Sequence, residues 1–311
     1  MSTRIKIATS APELDGLFRS RHQALVEELG SHFPQPDLRL LDRFDAFPDT
    51  HNVLASVAGT VVGGVRLCPA GQDCALGELH DFSSNLPEGS VAGSLTRFHL
   101  LEDHQDAGQR LGLSMLYMAT TIAARNGMTH LLVCPEPTVS RLAQSIGFQQ
   151  VAPRFSTEPN GQERVPMVQN LGQLKLPLLA MAEDSGMLDA FDRVEWEFHR
   201  AGDTIIQAGT EGSAAYLVVD GEVIVSVERG GAGSRKSFDL ATMGPGQIFG
   251  ELALLTKRKR TANVVAATAV DLMVLERDVF RRELVRRPDR LPLVLEQLAN
   301  RLADADDLLT R

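Results

Sequence analysis

Cysteine is scarce in this 311-residue chain: Cys68, Cys74 and Cys134 are the only three. Their spacing matches no metal motif and offers no disulfide framework, which suits a reducing compartment. Each reads as a small buried hydrophobe. Long apolar runs are missing as well. No stretch approaches the ~18 residues that a membrane span needs. The start, Met1-Ser2-Thr3-Arg4-Ile5-Lys6, lacks the apolar core of a secretory signal. A cytoplasmic location is therefore expected. Positive charge is in deficit, with 31 basic against 40 acidic residues and a net charge of −9. That balance excludes broad nucleic-acid binding through phosphate neutralisation. The basic run Lys257-Arg258-Lys259-Arg260 reads as solvated surface over its first three residues.

What is present is a soluble composition, 43% hydrophobic and 23% charged, long enough for two ordinary domains. Texture changes near residue 200. Beyond it, short β-rich runs (Thr204–Ile206, Tyr216–Val219, Val223–Val227, Asn263–Ala266, Leu272–Leu275) alternate with glycine corners. Asp220-Gly221 is a hairpin signal between two of them. Such spacing predicts a small antiparallel barrel or jelly roll. Helical periodicity returns at Leu291–Leu309, whose leucines serve equally as core or as a dimer interface. The front half reads as mixed α/β. Ser10-Ala11-Pro12-Glu13 is a capping box that starts a helix running to about Gly30. Asn52–Ala58 and Thr60–Cys68 form a hairpin, and a strand follows around Ser94–Leu100. A long helix spans Gln109–Asn126, then a strand Thr129–Cys134 and a helix Thr138–Ile146.

One short segment carries explicit chemistry: Phe249-Gly250-Glu251-Leu252-Ala253, followed by Arg260-Thr261-Ala262. A cyclic phosphate needs a cation and N–H donors, which Arg260 and the turn at Gly250 supply. A ribose hydroxyl suits a carboxylate such as Glu251. The segment resembles the phosphate-binding cassette of the cyclic nucleotide-binding domain family. That likeness covers Leu188–Arg311 and implies a β-roll with C-terminal helices. It puts Arg260 on the phosphate and Glu251 on the ribose. Thr261 leaves cAMP against cGMP open. No helix-turn-helix is expected after the final helix, so DNA reading is not expected either.

In the front half, Gln109-Arg110-Leu111-Gly112-Leu113-Ser114 opens the long helix, and a glycine there lets amides approach a phosphate. This loop resembles that of the GNAT acyltransferases, implying donor phosphopantetheine on Gln109, Arg110, Gly112 and Ser114. Arg21, then Asp42 and Asp45, then Gly63-Gly64-Val65-Arg66-Leu67, then Thr96-Arg97 follow in order. This set resembles the GNAT-fold acyl-homoserine lactone synthases and N-acyl amino acid synthases, over Arg4–Asn170. The resemblance implies catalytic roles for Arg21, Asp42, Asp45, Arg66, Thr96 and Arg97. Equally, the two carboxylates could pair with the arginines simply to fix the N-terminal segment. Where the family has an aromatic residue four positions past the helix arginine, this chain has Leu25. Ser94 stands at the family's glutamate, and His99, Glu102 and Glu78 are the candidate substitutes as base.

The expected architecture is a GNAT-like acyltransferase domain, residues 1–172, then a jelly-roll cyclic nucleotide-binding domain, residues 173–311. Residues Gln149–Gly186 would hold the last acyltransferase strands and the hinge helices. The implied function is N-acyl transfer from acyl-CoA or acyl carrier protein to an amine, regulated by cAMP or cGMP and without a metal. The alternatives are a regulated protein-lysine acetyltransferase and a non-catalytic nucleotide sensor.

Overall fold

A computed structural model describes residues 3–69, 76–77, 79–157, 161–173, 195–229, 236–256, 258–278 and 280, the side chains at 105–110, 229 and 236 excepted. Cys74, Glu78, Lys257, and the stretches where hinge helices and a final leucine-rich helix are expected lie outside the described residues, apart from the part of the former up to Gln173. The chain divides into two units, Ile5–Ala180 and Met181–Arg311 with Met1–Arg4.

The first unit is built on the predicted hairpin. β2 (His51–Val57) and β3 (Thr60–Pro69) are joined by Ala58 and Gly59, both at positive φ, as a two-residue turn between twisted strands requires. β1 (Thr3–Ile7) precedes them and buries Ile5 completely. Then come β4 (Ala92–Leu100), β5 (His130–Val133), β6 (Gln149–Gln150), β7 (Phe155–Thr157), β8 (Gln162–Arg164) and β9 (Met167–Asn170). In space the order is β1-β2-β3-β4-β5-β9-β6, with β7 and β8 pairing separately. Helices α1 (Ala11–His22), α2 (Gly108–Arg125) and α3 (Pro137–Ser145) complete the unit. The start of α1 is fastened by the Glu13 carboxylate, which accepts from the Thr9 and Ser10 N–H groups at 3.0 Å each. At His22 the helix widens into a π segment, Gln23–Glu28, and reaches the expected stop at Gly30 in this looser form. Gly64 lets α1 lie close on β3, because a Cβ there would collide with Leu17 Cδ1. On α2, Met115, Met118, Ala119, Ile122 and Ala123 are fully buried.

Two irregularities shape the middle of this sheet. Opposite β3, Gly64 pairs with His99 and Arg66 with Thr96, so Arg97 and Phe98 together face Val65 alone. This is a β-bulge, and Arg97 takes φ 56°, a left-handed conformation costing about 1–2 kcal/mol in a non-glycine residue. On the other side, β4 pairs in parallel with β5 only at Ala92, Gly93 and Ser94. Past that point the strands part, beside the bulge.

The second unit stacks two four-stranded antiparallel sheets. Its strands are β10 (Glu195–His199), β11 (Thr204–Ile206), β12 (Ala214–Asp220), β13 (Val223–Arg229), β14 (Lys236–Met243), β15 (Ile248–Phe249), β16 (Asn263–Ala266) and β17 (Val270–Glu276). The orders are β15-β12-β17-β10 and β11-β16-β13-β14, the arrangement expected of a jelly roll. Ile206, Val223, Met243 and Val264 from one sheet meet Val218, Phe249, Val270 and Leu272 from the other in a single core. The short helix α4 (Glu251–Thr256) follows β15 at once. No helix among the described residues is long and apolar enough to cross a membrane.

Candidate active site and nucleotide cassette

Where β4 and β5 part, the first unit holds a cavity of about 350 Å³. Most of its wall is apolar: Leu25 and Leu29 from the π segment and its end, Leu95 and Phe98 from β4, Leu116 from α2, and Ala143 from α3. Asp42, Arg66, Thr96, Arg97 and His32 gather on the same wall as a polar patch, with Glu136 and Arg164 also lining it. Volume and composition suit an extended apolar ligand with a polar reacting end.

Backbone geometry presents both carboxylates together. Asp42 caps the 3₁₀ turn Arg43–Ala46, its Oδ1 accepting from Phe44 N at 2.9 Å, while Asp45 Oδ2 accepts from Asp42 N at 3.0 Å. The arginines converge on this turn from three elements. Arg66 of β3 donates through Nη1 to Asp42 (2.6 Å) and Asp45 (2.8 Å), and through Nε to Thr96 Oγ1 at 3.0 Å. Arg97 of the bulge reaches Asp42 Oδ2 at 2.8 Å and contacts His32 Nε2 with its other nitrogen. Arg21, last turn of α1, holds both Asp45 oxygens at 3.1 Å and Asn52 Oδ1 at 2.9 Å. All six residues named from the sequence therefore meet in one network. They do not all reach the cavity: Arg21, fully buried, and Asp45 stand behind its wall.

Burial pushes the Asp42 carboxyl up, but hydrogen bonds from Arg66 and Arg97 overcome this and hold it well below the usual range. Burial, opposed by Asp45, draws the Arg21 guanidinium down to about 10, so it stays charged at neutral pH. Of the substitute bases, His99 is buried, with its Nδ1 on the Arg97 carbonyl at 2.9 Å and its Nε2 on Ser20 Oγ at 3.0 Å. It steadies the bulge and is not among the cavity-lining residues, nor is Glu102. Ser94 is fully buried, pairs across to Cys68 and Leu132, and does not line the cavity either. His32 went unsignalled in the sequence because its contact is with Arg97, 65 residues away.

Two histidines predict acid lability. Burial, reinforced by Arg21, lowers His99 to about 3; burial, reinforced by Arg97, lowers His32 to about 4. Unfolded, both take a proton near pH 6.5. The unfolded chain then binds more protons from about pH 6.5 down to about 4 for His32 and about 3 for His99, so stability is full above that window and falls on acidification through it. Urea midpoints at pH 7 and pH 4.5 check this, and His99→Gln, with no proton to gain, is expected to flatten the slope.

At the start of α2, Gln109 and Arg110 are helical. A Cβ on Gly112 would stand 3.1 Å from both Phe98 and Leu142, so this glycine lets α2 sit against β4 and α3. Ser114 is buried. Cys134, just past β5, lines the cavity.

In the second unit, Phe249 is buried and stacks on Tyr216 at 5.2 Å. Gly250 takes φ +78°, and a Cβ there would stand 2.7 Å from Arg260 Nη1. Arg260 donates to the carbonyls of Gly250 and Ala214 at 2.6 Å each, with its guanidinium over the Tyr216 ring at 5.9 Å. Glu251 and Ala253 are buried, while Leu252, Thr261, Arg258 and Lys259 are exposed and Ala262 is half-buried. The structure thus brings the two halves of the cassette together around one guanidinium. Among the described residues no cluster of His, Cys, Asp and Glu is arranged to hold a metal ion.

Comparison with known proteins divides the chain in the same way. Residues 17–170 match the family model for the N-acyl amino acid synthase FeeM, and residues 196–287 that for the cyclic nucleotide-binding domain. Isozyme 1 of the cGMP-dependent protein kinase of Drosophila melanogaster is 30% identical over 185 residues, 58% of this chain and 22% of the kinase. The chain spans between about a fifth and a half of the length of the curated relatives it matches. The crystal structure of TofI, in a ternary complex with an inhibitor and MTA, is similar at 24% identity and TM-score 0.45, covering 55% of this chain and 92% of that one. FeeM, from uncultured soil microbes, is similar at 13% identity and TM-score 0.46, covering 55% and 93%. The chain joins an N-acyl amino acid synthase-like region to a cyclic nucleotide-binding domain.

Proposed function

We propose that the first part is a GNAT-type N-acyltransferase whose rate is set by cAMP or cGMP bound to the second, the functional parts being residues 1–172 and 173–311. The carrying observation is the 350 Å³ apolar cavity whose wall includes the Asp42–Arg66–Thr96–Arg97 cluster. The acyl chain of a CoA or carrier-protein thioester lies along Leu25, Leu95, Phe98 and Ala143. Its carbonyl meets the bulge, where the extra residue takes an amide out of the ladder and makes it a donor for the oxyanion. An acceptor amine attacks that carbonyl directly, the amide bond forms, and the thiol leaves with a proton. Arg66 and Arg97 orient the polar end, and Arg21 with Asp45 hold them from behind. Donor phosphopantetheine is assigned to the start of α2, at Gln109, Arg110, Gly112 and Ser114.

A protein-lysine acetyltransferase needs room for two carbons only, so the cavity favours a longer acyl group. Ser94 in place of the glutamate favours the other alternative, a sensor that binds thioester without turnover. Incubation of the chain with labelled dodecanoyl thioesters and amines separates these readings, since a sensor retains the thioester intact. Ala143→Phe is expected to fill part of the cavity. It should lower kcat/KM for a dodecanoyl thioester at least tenfold while sparing a butanoyl one.

Nucleotide control follows from linkage: a ligand that binds one conformation better shifts the population by its differential affinity. Glu251 takes the ribose and Arg260 the cyclic phosphate. A carrier-protein partner and a homodimer through the leucines of Leu291–Leu309 belong to the same proposal.

A further inference from the structure

His32 belongs to a relay of hydrogen bonds that fixes its chemistry. The Ser31 hydroxyl donates to the Leu25 carbonyl at 2.6 Å, so its oxygen is the acceptor facing His32 Nδ1 at 2.9 Å. A neutral imidazole there carries its proton on Nδ1 and leaves the Nε2 lone pair for a donor. That donor is Arg97 Nη1. Arg97 is thus gripped on two sides, by Asp42 at 2.8 Å and by an uncharged acceptor. The charges of the network are unequal: Arg21, Arg66 and Arg97 face Asp42 and Asp45, leaving one positive charge over. A carboxylate at position 32 would cancel it. An imidazole holds the guanidinium and leaves the network's surplus positive charge in place beside the cavity.

We infer that His32 is a positioning residue that holds Arg97 oriented, without adding a negative charge to the network, to take a carboxylate group of the acyl acceptor. Burial, then Arg97, keeps the ring neutral by lowering its pKa to about 4. The inference rests on the acyltransferase reading with an amino-acid acceptor, and adds to it the residue that orients Arg97. The Asp42 contact alone leaves the guanidinium free to swing, whereas two acceptors on its two terminal nitrogens fix its plane.

The test uses the full chain, a dodecanoyl thioester, and free L-amino acids compared with their amides. Wild type is expected to favour the acids. His32→Ala should raise KM for the acids about tenfold with little change in kcat, and bring the acid-to-amide ratio towards one. His32→Gln, which returns a neutral acceptor, should recover most of the preference. His32→Glu should not, because it cancels the charge. Separately, ¹⁵N NMR of the wild type should show the Nδ1–H tautomer from pH 5.5 to 8. Transfer by wild type with an unchanged acid preference in His32→Ala would overturn the His32 assignment alone, as would an Nε2–H tautomer. No transfer by folded wild type would overturn the acyltransferase reading and the role of His32 with it.

Discussion

Asp45→Ala is expected to destabilise the synthase-like part by about 3–5 kcal/mol, the usual cost of removing one partner from a buried ion pair. The Asp45 side chain is 3% exposed and faces Arg21 and Arg66, which are 0% and 1% exposed. Without it, Arg21 keeps only the Asn52 and Leu40 oxygens, and Arg66 keeps Asp42 and Thr96. Two guanidiniums would then sit out of water with a single carboxylate between them. Asp42→Ala removes a carboxylate that is 26% exposed, so water and ions offset part of its loss and a smaller cost is expected. Urea unfolding followed by far-UV circular dichroism measures both. An Asp45→Ala cost below that of Asp42→Ala would mean that the network is not held from behind.

Arg260→Ala should weaken cyclic nucleotide binding at least a hundredfold. Two charge-assisted hydrogen bonds to a phosphate contribute about 1.5–3 kcal/mol each, and 1.4 kcal/mol is a factor of ten in affinity. The guanidinium is buried at the turn where Gly250 has φ +78°, and its present partners are two backbone carbonyls. A cyclic phosphate would draw it from those carbonyls and so change the turn before α4. Arg260→Lys keeps the charge but cannot bridge two oxygens in one plane, so it should fall between the two. Calorimetry with cAMP and cGMP reads this, and affinity within threefold of wild type in Arg260→Ala would rule out the assigned role.

Much of this was legible because the signals are local. Asp42-x-x-Asp45, Gly64-Val65-Arg66 and Thr96-Arg97 are short runs, and their order along the chain shows before any contact is known. The hairpin at Gly59 and five strands of the second unit, β11, β12, β13, β16 and β17, follow from β-rich runs and glycine corners. What escaped depends on register or on short polar strands. β1 and β15 are five and two residues long, and the Phe238 of β14 is exposed, so alternation there is weak. β10 does alternate, Glu195-Trp196-Glu197-Phe198-His199, but the run is only five residues long and its Glu197 and His199 are buried along with Trp196 and Phe198. The cavity arises where β4 and β5 part after Ser94, a consequence of pairing that no run of residues announces. His32 acquires its role only once the bulge turns Arg97 towards it.

The central claim, that nucleotide binding in one part sets acyl transfer in the other, meets its most direct test in one assay. The purified chain is incubated with a labelled dodecanoyl thioester and free amino acids, and initial rates are taken with and without saturating cAMP or cGMP. N-acyl product whose rate changes severalfold with one of the nucleotides is the predicted result. A rate indifferent to a nucleotide that calorimetry shows to be bound, or no product under any condition, would contradict the account.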